Sequence, residues 1–298
     1  MPGLTELLDL HDFERVLNSD VTADKVSIIS EGKIVPRAAY TWKGAATRLP
    51  FNRRSTNSVQ PQAVAQRLER GATVIINSLH QAWPPLGRLC GQLSAEMGTA
   101  VDAVGFLTPS DQRGLRPHWD TESVMLVQTF GSKTWNLWEP PSPAPLAHEG
   151  PGFSQADRDY YDGRKPDHQF TLTAGEVLWI PSGWVHSGST ETAASLHVSL
   201  GFLPFSRYWL AMKLVQALDR RGPATDRFRF MLPFGIDREP EQLANAISEV
   251  VADLTEVLPT LDRAELTRHL ADDMRKEFWT PCSIASVVMP TAEADIPW

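Results

Sequence analysis

From Val101 to Leu200 the apolar residues come in short runs broken by Gly, Pro, Ser and Asp, which is the texture of an antiparallel β barrel or sandwich. The runs predict strands at Val104–Leu107, Ser123–Phe130, Thr134–Trp138, Gln169–Leu172, Val177–Ile180 and Leu196–Phe202. Helical spacing flanks this block on both sides. Pro61 suits a first helical position, Val64 and Leu68 share a face, and Gly71 can close that helix before an apolar strand over Ala72–Asn77. Pro84 and Pro85 then open a second helix with a stripe of Leu86, Leu89, Leu93 and Met97, ended by Gly98. After Pro204 the period is again helical, with stripes at Leu243, Ile247, Val250, Leu254, Leu258 and at Leu266, Leu270, Met274, Phe278. Asp262 followed three residues on by Glu265 resembles a capping box for the last of these.

The expected organisation is an arm of irregular pattern over 1–60, with Tyr40, Trp42 and Phe51 as packing anchors and basic residues at Arg53 and Arg54. A mainly β unit over 61–204 and a helical region over 205–298 follow. The stretch from Glu139 to Asp167 is dense in Pro, Gly and acidic residues and too long for a hairpin, so it reads as a lid or a substrate-binding insertion.

Composition narrows the function classes. A chain of 298 residues with 42% hydrophobic residues can bury a full core. Its apolar runs are too short to cross a bilayer and its N-terminus lacks a signal-peptide pattern, so a cytoplasmic location is expected. The two cysteines, Cys90 and Cys282, have no CxxC spacing and read as thiols rather than a disulfide or a zinc site. A net charge of −8 disfavours non-specific nucleic-acid binding and favours a basic peptide among macromolecular partners.

Three features carry chemistry. In RPHWDTESVMLVQTFGSKTWNLWEP, residues 116–140, His118 and Asp120 are two apart, so in extended chain both side chains leave one face and can bind one metal. In AGEVLWIPSGWVHSGST, residues 174–190, an apolar run ends in Pro-Ser-Gly and presents His186 after a turn. Two histidines and a carboxylate make a facial triad that leaves positions open for a bidentate oxoacid and O2. Lys133 lies within an aromatic and apolar run and needs a counter-charge if it is buried there. The other histidines, His11, His80, His148, His168 and His269, have no ligand-like neighbours in sequence and read as structural.

In their order and spacing these elements resemble the JmjC-type ribosomal oxygenases and their bacterial cupin relatives, over about Gly71 to Phe202. GATVIINSLHQAWPPLGRLC is similar to that family's strand and helix lead-in, FLTPSDQRGLRPHWD to its approach to the metal, and SLHVSLGF to its closing strand. The resemblance implies a double-stranded β-helix (cupin or jelly-roll) barrel with flanking helices and a helical C-terminal region. It also implies Fe(II) on His118, Asp120 and His186, with 2-oxoglutarate and O2 as co-substrates, and Lys133 on the C5 carboxylate of 2-oxoglutarate. His197 and Ser199 become candidates for the co-substrate pocket, and Trp119 and Trp184 for the substrate pocket. The sequence departs from the family at Trp119, where Tyr is usual, and at Phe106, where a more polar strand is expected. The implied reaction is hydroxylation of an unactivated C–H bond on a protein or peptide side chain. The alternatives are a tailoring hydroxylase for a natural-product peptide or free amino acid, an N-methyl-lysine demethylase, and a non-catalytic cupin. The C-terminal helices are candidates for homodimer contact.

Overall fold

The structure, a computed structural model, describes residues 3–19, 21–42, 57–141, 144–146, 153–203, 205–219 and 225–278. Phe51, Arg53, Arg54, His148, Glu149 and Cys282 lie outside them. The chain divides into two units, one of Met1–Pro204 with Glu277–Trp298 and one of Phe205–Lys276.

In the first unit the elements are α1 (Leu10–Asn18), β1 (Val26–Ser30), β2 (Lys33–Ile34), α2 (Pro61–Glu69), β3 (Thr73–Ile76), α3 (Leu79–Ala82), α4 (Pro84–Met97), β4 (Val101–Thr108), β5 (Ser123–Trp138), α5 (Gln155–Gly163), β6 (His168–Thr173), β7 (Val177–Ile180), β8 (Val185–Ser189) and β9 (Ser195–Phe202). Every pairing among the described strands is antiparallel. The larger sheet runs β2-β1-β3-β4-β9-β5, with β7 on the other side of the first half of β5. The second half of β5 leaves that sheet and pairs with β6 and β8 to make the smaller one. Two antiparallel sheets wrapped about one interior and sharing a long strand are a double-stranded β-helix, the mainly β barrel with flanking helices that the sequence implies.

The transfer of β5 between sheets is local chemistry. Its pairing with β9 slips between Gln128 and Phe130, and Gly131 follows at φ +67°. A Cβ placed on Gly131 would lie 1.7 Å from the Ala194 carbonyl oxygen, so no other residue fits without moving β9. Gly131→Ala should therefore destabilise the barrel by about 2 kcal/mol or more. A thermal melt checks this, and an unchanged melting temperature would show that the corner tolerates a side chain.

Helices and the N-terminal segment cover the outer face of the larger sheet. Leu8, Phe13, Val26, Ile28, Val74, Ile76, Leu86, Val198 and Leu200 share one core, each fully buried large side chain contributing about 1.5–3 kcal/mol relative to exposure. The segment read as an irregular arm thus supplies a helix and two strands, because VSIIS at 26–30 pairs with TVII at 73–76. On α4 the buried spine is Leu86, Cys90 and Ser94, with Met97 53% exposed, so the packed face is rotated from the Leu/Met stripe. Ser94 Oγ accepts from Val101 N at 3.0 Å and ties the helix to the start of β4.

The Glu139–Asp167 insertion contains a helix. Ser154 and Asp157 cap α5 reciprocally, and Tyr161 is buried against Trp138, Phe153 and Trp119. The second unit comprises α6 (Arg207–Gln216), α7 (Pro240–Val257) and α8 (Arg263–Lys276). Lys213 pairs with Asp273 at 3.4 Å, and Arg227 with Asp253 and Glu256 at 2.8 and 2.9 Å. Among the described residues no helix is long and apolar enough to cross a membrane.

Candidate metal and co-substrate site

The HxD pair sits on an extended segment beside β8 rather than within a named strand. Gly114 N donates to Gly188 O at 3.0 Å, and His118 and His186 exchange backbone hydrogen bonds at 3.2 and 2.8 Å. That bridge sets the two imidazoles side by side on one face, with ring centroids 4.3 Å apart and planes tilted by 52°. The Pro-Ser-Gly turn before His186 is pinned to the chain just after Asp120. Gly183 N donates to Asp120 O at 2.9 Å, and Ser182 Oγ to Thr121 O at 2.8 Å.

Asp120 Oδ2 lies 4.0 Å from His118 Nε2 and 3.5 Å from His186 Nε2, and one donor atom from each of the three residues falls within 4.8 Å of the others. His118 Nδ1 is 2.9 Å from Arg116 O, and His186 Nδ1 is 3.0 Å from Trp184 O. A carbonyl only accepts, so each Nδ1 donates and each Nε2 keeps its lone pair for a metal. Burial, then the neighbouring His186, hold the His118 imidazole below its ordinary pKa, which favours the same neutral form.

Lys133 is 3% exposed, and burial pushes its pKa down to about 7. Its Nζ donates to Thr108 Oγ1 at 3.2 Å and lies 5.1 Å from the centre of the Trp135 ring. No carboxylate among the described residues pairs with it. Two glycines make room around it: a Cβ on Gly188 would stand 2.7 Å from Lys133 Cε, and one on Gly114 would stand 3.3 Å from Nζ. His197, 1% exposed, stacks on Phe106 with centroids 4.8 Å apart and meets Trp135 edge-on at 5.1 Å. Both ring nitrogens of His197 and Trp135 Nε1 are buried without a hydrogen-bond partner. Burial, and then the charge of Lys133, keep His197 well below its ordinary pKa.

A cavity of about 680 Å³ joins these groups. His118, Asp120, His186, Lys133, His197 and Ser199 all line it, as does Trp135. Trp119 and Trp184 do not: Trp119 packs beneath α5 with Trp138 and Tyr161, and Trp184 packs on the core of the smaller sheet while its carbonyl orients His186. Phe106 occupies its place as the stacking partner of His197. Sequence reasoning missed the entrance. The β1–β2 turn, Asp102 and Glu122 line it on one side, and Gln155 and Arg158 of α5 on another. Arg116 joins these parts, contacting Asp159 at 2.7 Å, pairing with Asp162, and sitting where a Cβ on Gly32 would lie 2.9 Å from its Cγ. Arg113 also pairs with Asp162. No residue spacing signals this junction, because its members are brought together from three separate segments.

Residues 79–209 match the JmjC domain family. The bifunctional lysine-specific demethylase and histidyl-hydroxylase NO66 of Caenorhabditis elegans is 28% identical over 237 residues, covering 73% of this chain and 31% of the relative. Ribosomal oxygenase 2 of Bos taurus is 30% identical over 214 residues, covering 70% of this chain and 44% of the relative. The chain thus spans less than half the length of each of these two relatives. A solved structure of YcfD, a ribosomal oxygenase from Escherichia coli in complex with cobalt and 2-oxoglutarate, is 14% identical, with a TM-score of 0.42, covering 81% of this chain and 59% of that one. The residues that match the JmjC domain family, 79–209, run from α3 through the closing strand β9 to the first turn of α6.

Proposed function

We propose that this chain is an Fe(II)- and 2-oxoglutarate-dependent oxygenase that hydroxylates an unactivated C–H bond on a peptide or protein side chain. One observation carries the reading: a single cavity holds a two-histidine, one-carboxylate cluster and a buried lysine without a counter-charge. The donor set suits Fe(II), since neutral imidazoles and a carboxylate on one face leave the remaining coordination positions open. The buried ammonium and the unpartnered nitrogens of His197 and Trp135 suit a bound carboxylate.

With iron bound, 2-oxoglutarate and O2 would supply the oxidation of C–H to C–OH, one oxygen atom of O2 going to the product and the other to succinate as CO2 is released. The protein's part is positioning. His118, Asp120 and His186 hold the metal, their rings fixed by Arg116 O and Trp184 O. Lys133, seated between Gly114, Gly188 and Trp135, binds the C5 carboxylate, with His197 near the same end and Ser199 farther along the cavity wall. The aromatic wall of Phe106, Trp135 and His197 keeps water from the buried end.

The far end favours a basic side chain. Inward positions of β4 run from Thr108, which bonds Lys133, to Asp102, six residues or roughly 20 Å away. Enclosure by the barrel wall, then the charge of Glu122, raise the Asp102 carboxyl pKa. Neither carboxylate has an ion-pair partner among the described residues, and a cationic side chain from the substrate would supply one. A metal-loaded protein incubated with 2-oxoglutarate and a library of basic peptides should release succinate and add one oxygen to a peptide, read by mass spectrometry. Loss of a methylene equivalent instead would indicate demethylation, and 2-oxoglutarate left unconsumed with every peptide, at a protein that binds no Fe(II), would end the proposal.

A cytoplasmic location suits this chemistry, with Cys90 buried as a thiol whose pKa burial pushes up to about 12. The helical unit is the surface for a second copy of the chain. Phe230, Met231 and Phe234 stand 82%, 85% and 98% exposed there, three large apolar side chains left to water within five residues of chain. Sedimentation should give a dimer for the wild type and a monomer for Phe230→Ser/Phe234→Ser. Equal masses would remove the assignment.

A further inference from the structure

On α5 the charged side chains are occupied, with one exception. Asp157 caps the helix through Ser154, Asp159 and Asp162 hold Arg116, Asp162 also holds Arg113, and Arg164 holds Asp167. The Arg158 guanidinium makes no hydrogen bond or ion pair with any described residue. It is half-buried, lines the cavity with His118 and Asp120, and lies near enough to His118 for its charge to disfavour the imidazolium there. Its direction is set by the rest of the helix, because Tyr161 is buried on the core and the arginine pairs clamp the adjoining face.

A guanidinium carries five donors in a planar fork that matches a carboxylate, and one held part-buried without an acceptor has lost water and gained nothing in return. Two other cations without an ion pair among the described residues line this cavity, Lys33 and Lys133, and Lys33 differs from Arg158 in being exposed at the β1–β2 turn. Lys133 can answer one carboxylate of 2-oxoglutarate, at the far end from the entrance. Arg158 is on the metal side, where the second carboxylate of the co-substrate and any carboxylate of the prime substrate would both arrive.

We propose that Arg158 is a carboxylate-binding residue of this cavity, holding the C1 carboxylate of 2-oxoglutarate or a carboxylate of the prime substrate. The inference rests on the oxygenase reading of the site. It makes α5 part of the binding machinery, since the helix would then close the entrance through a ligand contact as well as through its own ion pairs.

The full chain loaded with Mn(II) provides the test, comparing wild type with Arg158→Gln and Arg158→Lys. Calorimetric titration with 2-oxoglutarate is the first arm. The second, on the Mn(II) and 2-oxoglutarate complex, compares thermal shifts with L-lysine and L-lysinamide, which differ only in the carboxylate. If the co-substrate is the ligand, Arg158→Gln weakens 2-oxoglutarate binding about 10- to 100-fold and Arg158→Lys recovers part of it. If the substrate is the source, 2-oxoglutarate affinity is unchanged, wild type prefers L-lysine to L-lysinamide, and Arg158→Gln loses that preference. Unchanged 2-oxoglutarate affinity together with equal responses to the two probes in wild type overturns the proposal alone. Failure of wild type to bind 2-oxoglutarate overturns it along with the oxygenase reading.

Discussion

Replacing Asp120 or His118 by alanine should abolish turnover and leave the fold standing. Loss of an outer partner of a metal ligand typically costs 10- to 100-fold, so loss of a ligand itself should cost at least about 100-fold in succinate release. The fold has little stake in these side chains. The bridge that joins the two segments is made by the backbones of His118 and His186, not by their rings. The Asp120 side chain is 34% exposed and adds no apolar surface to the core. The melting temperature of the metal-free protein should accordingly move by no more than about 2–4 °C, the shift that 1 kcal/mol gives in a domain of this size. Calorimetric Mn(II) titration beside the melt separates the two effects. A folded variant with full succinate release would show that the cluster is not the metal site.

The second large effect belongs to Lys133. Removing a charged partner of a buried carboxylate costs about 2–5 kcal/mol, so Lys133→Met should raise the 2-oxoglutarate dissociation constant roughly 30- to several-thousand-fold while Mn(II) binding is unchanged. The empty protein should respond in the opposite sense. Burial without a counter-charge holds the Lys133 pKa near 7, so the folded protein disfavours its charged form, and a methionine of similar stem should melt higher in the absence of 2-oxoglutarate. The same group sets a pH dependence. A bound carboxylate raises the ammonium pKa above its value in the empty site, so the complex holds one more proton than the empty site from about pH 7 upward. Raising the pH through that window removes the proton and weakens 2-oxoglutarate binding by up to about tenfold per unit. In Lys133→Met the slope should vanish. A wild-type affinity flat from pH 6 to 9 would mean that another group holds the carboxylate.

What the sequence made legible follows from where local pattern and tertiary demand agree. The apolar run Val177–Ile180 is bounded by Gly175 and Pro181, and it is a strand with those bounds. His118, Asp120, His186 and Lys133 stand out together because their order and spacing resemble the JmjC-type oxygenases, whereas each taken alone reads as an ordinary structural residue. Strand β8 escaped notice because VHSGS has almost no apolar signal; it is held by pairing with β5 on one side and the HxD segment on the other. Strand β5 read as two because Gly131, Ser132 and Lys133 look like a turn, whereas Gly131 serves there as a corner inside one continuous strand. Helix α5 was hidden in an acidic, proline-rich stretch whose low hydrophobicity suggested a loop, although Ser154 and Asp157 mark its start. Arg158 could not be selected from sequence at all, since its significance comes from facing a cavity built by strands about 30 to 130 residues away in the chain.

The placement of β9 between β4 and β5 has a consequence for how the chain is made. Val101 pairs with Phe202 and Thr108 with Ser195, so β4 must wait for about 90 further residues to leave the ribosome before its second neighbour exists. Until then β2, β1, β3 and β4 form a half-sheet whose β4 edge is open and whose future cavity face is exposed to solvent. Such an edge invites pairing with other chains, and the closing contacts are among the most distant in sequence that the barrel makes. The cavity is therefore assembled last, by the strand that carries His197 and Ser199, and a nascent chain stalled short of Ser195 would have the HxD segment but no closed barrel around it.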